Sequence, residues 1–254
     1  PPVSAAATRT IASAGAPRPH HPARAKHAIY LFQNGAPTHV DLFDYKPELR
    51  RRHGKPLPDA YVAGKRFSTM TGKADGKLML QPVEPFAQHG RSGAWVSRFM
   101  PFTAAIADRL CFIKSMHTEA VNHAPGITFL LTGSEMPGRP SLGAWVTYGL
   151  GAENQNLPSF IAMCPGGYPI KDSENWQSGF LPGIYQGTYI DPQKDSVEKL
   201  IENIRSGHAT LREQREQLDL LMELNREHQR SRSRDTRLEA RIQSFELAFR
   251  MQME

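Results

Sequence analysis

The chain has 254 residues, 39% hydrophobic and 22% charged, with a formal net charge of +6 and a pI near 9.4. That length can bury a sizeable core in one large or two small domains, and the composition fits a soluble globular protein with irregular parts. No run of about eighteen apolar residues occurs, so no membrane span is expected, and the basic residues are scattered or alternate with Glu, which argues for solvated faces and against nucleic acid.

Residues 1–26, rich in Ala, Pro, Ser and Arg, have no apolar period and are expected to form a disordered leader or linker. Residues 27–33, HAIYLFQ, read as a first buried strand that ends at Asn34-Gly35. The following stretch is rich in Pro and Gly and reads mostly as loop, with a short helix near Pro47. Residues 100–110 predict a helix with Phe102, Ile106 and Leu110 on one face, and residues 110–116 a second strand. Residues 125–133 predict a helix with Pro125 in its first turn and Gly133 as its stop. Residues 141–151 predict another, capped by Ser141 and ended by Gly151. Residues 158–164 read as a third strand. Cys111 and Cys164 lie in these two later strand runs and read as buried free thiols, with a disulfide between neighbouring strands left open.

Strands alternating with helices predict an α/β layer fold with a largely parallel sheet. Beyond residue 196 the pattern becomes helical. Leu211, Leu218, Leu221 and Met222 share one stripe, and Leu238, Ile242, Phe245 and Phe249 share a second. The 196–254 region is therefore expected to be a helical hairpin across a basic linker.

In parallel sheets ligands bind beyond the carboxyl ends of strands. Two loops leave predicted strand ends, 34–44 and 117–124, and both carry reactive side chains. His39 and Asp41, with Asp44 close by, are candidate ligands for a divalent metal; the carboxylates serve equally well as loop or helix caps. Asn34, Gly35 and His117 stand at strand ends and are candidate substrate contacts. Asn122 and His123 precede the Pro125 helix, whose first N–H groups and dipole attract anions. There His123 can donate a hydrogen bond, act as acid or base, or ligate a metal, and Asn122 can hold an oxygen. Packing at an ordinary helix start explains the pair equally well. Lys114 reads as solvent-facing. No Gly-rich phosphate loop, nucleophile elbow or zinc-protease helix is present.

Pro125 and Thr132-Gly133 have the spacing of the sulfatase motif Cys-X-Pro-Ser-Arg-X-X-Leu-X-Thr-Gly. With HAIYLFQNGAPTHVDLFDYKPEL, NHAPGITFLLTGSEMPGRPSLGAWVTYGLG, NLPSF, SGFLPGIYQG and FELAFRMQ, the chain from about His27 to Glu254 resembles a sulfatase-like family of unknown function in the alkaline phosphatase superfamily. The resemblance implies an alkaline-phosphatase-like α/β fold, of which this chain is the N-terminal part, continued by a second half in longer relatives. It implies export to the periplasm or outside the cell, a divalent metal as cofactor, and a sulfated or phosphorylated small molecule or glycan as partner. The expected function is a metal-dependent hydrolase of sulfate or phosphate esters. The chain departs from the motif, however. The nucleophile position falls on His123, Gly126-Ile127 replaces Ser-Arg, and Gln33-Asn34 stands where the first acidic ligand belongs. A binding or scaffold protein that retains the fold is the alternative.

Overall fold

The structure, a computed structural model, describes residues 21–22, 24–35, 37–65, 67, 76–152, 154, 156–200, 210–231 and 236–252. The leader expected at 1–26 therefore falls largely outside the described residues. The chain divides into two compact units, one of Leu31–Gly126 and one of Pro1–Tyr30 with Ile127–Glu254. The described part is mixed α/β with small sheets of two strands each, in place of the single large parallel sheet.

The Leu31–Gly126 unit contains two short helices, α1 (His39–Leu42) and α2 (Pro47–Arg51), the latter opened by Pro47. An antiparallel hairpin follows, β1 (Phe86–His89) and β2 (Ala94–Ser97), paired Phe86↔Ser97 through His89↔Ala94. Alternation places Phe86 and Trp95 on one face of the hairpin, where Tyr45 covers them at ring separations of 5.3 and 4.5 Å. Against β2 lies α3 (Pro101–Ala105), followed by a 3₁₀ turn at Ala107–Arg109. Val96, Ala104 and Ala107 form the buried centre. The expected stripe of this helix is corrected, because Phe102, Ile106 and Leu110 are exposed while Ala104 and Ala107 are buried. Small side chains let the helix approach the hairpin closely.

The first two expected strands do not form: residues 27–33 and 110–116 carry no ladder, and Ile29, Leu31 and Ile113 are exposed. An apolar run has the right side chains for a strand, but it becomes one only where another backbone takes up its N–H and C=O groups. The hairpin that does form lies in a stretch without such a run.

In the other unit, α5 (Leu142–Leu150) presents Gly143 to the Phe160 ring, at a separation too small for any side chain. The third expected strand is present as β3 (Ile161–Met163), parallel to β4 (Thr188–Ile190). A 3₁₀ turn at Asp172–Trp176 buries Trp176, whose ring stacks on Tyr168 and Tyr189. A second turn, Gly183–Tyr185, packs against α5.

The helical region contains α6 (Val197–Leu200) and an α7 (Leu211–Ser231) to α8 (Thr236–Met251) pair in mutual contact, as expected for a hairpin. Ile242 is buried, whereas Phe245 and Phe249 are half-buried and the Leu238 side chain lies outside the described ones. The Arg215 guanidinium bridges the two helices, 3.1 Å from Glu246 and 5.0 Å from the centre of the Phe249 ring.

Helix α7 starts in a reciprocal cap. The Glu213 carboxylate accepts the Thr210 backbone N–H at 2.7 Å and the Thr210 hydroxyl at 2.8 Å, and Thr210 Oγ1 accepts the Glu213 N–H at 3.3 Å. Those bonds hold the Glu213 carboxyl below its ordinary range, the backbone donor contributing most. A carboxyl depressed in the folded state stabilises above its unfolded pKa, and that stabilisation is lost as pH falls through the folded value. The protection factors of amides in the first turn of α7, taken relative to intrinsic exchange at each pH, should therefore fall on acidification below the ordinary Glu range, and Glu213→Gln should remove most of this pH dependence.

Candidate functional site

All seven sequence-nominated residues belong to the Leu31–Gly126 unit. Asn34 and Gly35 form an exposed turn, with Gly35 at φ +87°. The short helix α1 follows. Asp41 N–H donates to the Thr38 carbonyl at 3.1 Å, and the N–H groups of Phe43 and Asp44 both return to the His39 carbonyl. This tight turn spaces His39, Asp41 and Asp44 differently from a flat loop.

Asp41 faces a structural task. Its Oδ1 accepts the Val83 backbone N–H at 2.9 Å and so ties α1 to the segment that leads into β1. His39 Nε2 lies 3.8 Å from Asp44 Oδ2, and the Lys46 ammonium lies 2.8 Å from the same oxygen. The Asp44 side chain is sheltered, only 16% exposed against 74% for His39. The charged centre of this loop is therefore Asp44, with Lys46 as its main partner. Sequence reading grouped Asp44 with His39 and Asp41 as metal-type side chains or caps, and gave Lys46 no role. The signal available was the Asp-Tyr-Lys spacing, in which the intervening Tyr45 turns inward onto Phe86 and Trp95. Asp41→Ala should cost about 1 kcal/mol, the net worth of a typical hydrogen bond, in a denaturation measurement. Asp41→Asn, which keeps an acceptor oxygen, should cost less.

The segment that leads into the second loop reaches the first through Phe112, whose ring centre lies 5.5 Å from that of Phe43. Cys111, Lys114, His117 and Glu119 are exposed, so Cys111 is not the buried strand thiol expected. Cys164 is buried, and burial pushes its thiol above the ordinary value, away from thiolate chemistry. Both cysteines are free. Thr118 Oγ1 accepts the Ala120 N–H at 3.1 Å, which bends the chain toward the helix.

Helix α4 (His123–Thr132) begins two residues before the expected start. The Asn122 carbonyl accepts the Gly126 N–H at 3.2 Å, which makes Asn122 the flanking residue and His123 the first helical one. His123 and Ala124 thus carry the first backbone N–H groups of the turn, and Pro125 has none. Asn122 and His123 are both exposed. Gly133 ends the helix at φ +75°, as expected.

Among the described residues, no group of three or more His, Cys, Asp and Glu side chains is arranged to hold a metal ion. Zinc takes four ligands and calcium or magnesium six or more oxygens, whereas the α1 loop gathers only His39 with Asp44, and Asp41 is engaged by Val83. The described residues of this loop do not by themselves complete either ligand set. Two clefts of this unit are lined by other residues, one around Pro56, Asp59 and Lys77, the other between the hairpin and α3.

No helix among the described residues is long and apolar enough to cross a membrane. No curated protein and no solved structure matches the chain. A family model described as a protein of unknown function, DUF1501, matches residues 25–254. With nearly its whole length inside that match, the chain belongs to the DUF1501 family.

Proposed function

We propose that this protein is an exported, sulfatase-like member of the alkaline phosphatase superfamily that binds sulfate or phosphate esters without hydrolysing them. The sulfatase-type spacing of Pro125 and Thr132-Gly133 supports the assignment to that superfamily. The loss of hydrolysis rests on one observation: the metal-ligand candidates are scattered or spent, with Asp41 on Val83 and Asp44 on Lys46. An anion remains a fitting ligand, because the positive end of a ten-residue helix lies beside the exposed His123 imidazole. Asn122 and His123 are its proposed contacts, with Asn34, Gly35 and His117 as candidate contacts for the rest of a small ester or glycan. Inorganic sulfate and phosphate titrated into the protein should shift the His123 ring and Ala124 amide resonances saturably, and His123→Ala should weaken binding severalfold. Absence of any saturable shift would remove the anion site.

A metal-dependent hydrolase is the second reading. It is favoured by the His39–Asp44 pair, two metal-type donors 3.8 Å apart on a surface loop. It requires further ligands that the described residues do not place there.

A further inference from the structure

We propose that the cleft between the β1–β2 hairpin and α3 binds a small organic anion with an apolar body. The cleft is open to solvent and offers about 450 Å³, a volume within the range of about 300–1,000 Å³ typical of small-molecule sites. The strand register puts Ala87, His89 and Val96 on one face of the hairpin, and Pro101, Ala104 and Ala105 supply the opposite wall. The floor is rigid, because Val96 is fully buried and Ala104 nearly so. These walls are apolar, so an occupant gains by burying hydrocarbon surface.

The charge at the cleft is one-sided. Arg98 and His89 are its only ionisable lining residues, and no carboxylate lines it. Among the described arginines of this unit, Arg51 and Arg52 pair with Glu48 and Arg91 lies 3.7 Å from Asp108, whereas Arg50, Arg98 and Arg109 enter no ion pair. Among the described residues, Arg98 enters no ion pair and its guanidinium no hydrogen bond; only its backbone N–H is engaged, by the Pro85 carbonyl at 3.0 Å. His89 likewise has no ion pair or side-chain hydrogen bond there. Arg98 is solvent-exposed, so its charge is accessible to a ligand, and its planar fork suits a carboxylate. The required ligand chemistry follows: one negative headgroup at Arg98, with His89 as a second donor, and a compact aromatic or branched aliphatic body against the alanines and prolines.

The cleft shares no lining residue with the α1 loop or the start of α4, so the proposal stands apart from the anion site at His123. Phenylacetate is a suitable probe, with 2-phenylethanol as its uncharged counterpart, read by calorimetry and by amide shifts in β1, β2 and α3. Phenylacetate should bind saturably and 2-phenylethanol about tenfold or more weaker, as expected for loss of a charge-assisted contact. Arg98→Gln should weaken phenylacetate by a similar factor and leave 2-phenylethanol unchanged. Ala105→Leu, at an exposed position on the cleft wall, should abolish binding of both. His123→Ala should change neither. Equal affinity for the acid and the alcohol, or an Arg98→Gln variant that folds as the parent does and binds phenylacetate equally well, would overturn the proposal, as would failure to bind phenylacetate at all.

Discussion

Gly179→Ala is expected to be the most damaging single methyl group that can be added to this protein. Gly179 has φ +57°, in the left-handed region that costs an L-residue about 1–2 kcal/mol. A β-carbon there would lie 2.5 Å from both the carbonyl carbon of Arg139 and the nitrogen of Pro140, and 2.7 Å from the Gly138 oxygen. All three are backbone atoms, so no rotamer change relieves the clash. The opposing segment is also held in place: Pro140 is fully buried, and the Ser141 N–H donates to the Gln177 carbonyl at 3.0 Å. Adding roughly 1–3 kcal/mol for overpacking gives a total loss of roughly 2–5 kcal/mol. Gly167→Ala provides the control. It has φ +94° with nothing within 4 Å of the added carbon, so it should show the backbone cost alone. Chemical denaturation of the two variants separates the terms, and equal losses would show that the approach of Gly179 to Arg139-Pro140 is not tight.

The second large effect belongs to Trp176. Its side chain is buried, 6% exposed. The ring lies between Tyr168 at 6.1 Å and Tyr189 at 5.9 Å, in near-parallel stacks of 27° and 13°. The same turn brings the Gly187 backbone to the Trp176 β-carbon, and the Gly187 N–H donates to the Trp176 carbonyl at 2.9 Å. Trp176 therefore joins the Asp172–Trp176 turn to β4. Trp176→Ala should destabilise this unit by about 3–5 kcal/mol, the usual cost of deleting a buried aromatic ring. Trp176→Phe, which keeps a ring between the two tyrosines, should recover part of that loss. A Trp176→Ala variant as stable as the parent in thermal denaturation would contradict the stacking role.

Local punctuation was the most legible part of the sequence. Pro47 opens α2, Gly133 and Gly151 close α4 and α5, and the apolar periods of α7 and α8 mark a helical pair, because each of these signals acts within one or two turns. The sheet was legible only at β3, the one expected strand that forms among the described residues. HAIYLFQ has stronger strand chemistry than FAQH, yet only the latter pairs, since its partner AWVS stands a four-residue turn away. Strand formation depends on a second backbone, and a run of side chains does not say where that backbone is. The candidate residues were legible by type, but their contacts were not. His39, Asp41 and Asp44 were visible as a cluster, but that Asp41 would accept the Val83 N–H depends on a contact 42 residues away. The start of α4 was misplaced by two residues because Pro125 fits any position of the first turn, where its missing N–H is not needed.

Turnover assays test the central claim, ester binding without hydrolysis, most directly. The protein is incubated with 4-nitrophenyl sulfate and 4-nitrophenyl phosphate in the presence of magnesium, calcium, manganese or zinc, and release of 4-nitrophenolate is followed. The account predicts no release above the metal-only background with any cation, while sulfate and phosphate still shift His123. Metal-dependent release that disappears in both His39→Ala and Asp44→Asn would contradict it and establish the hydrolase reading.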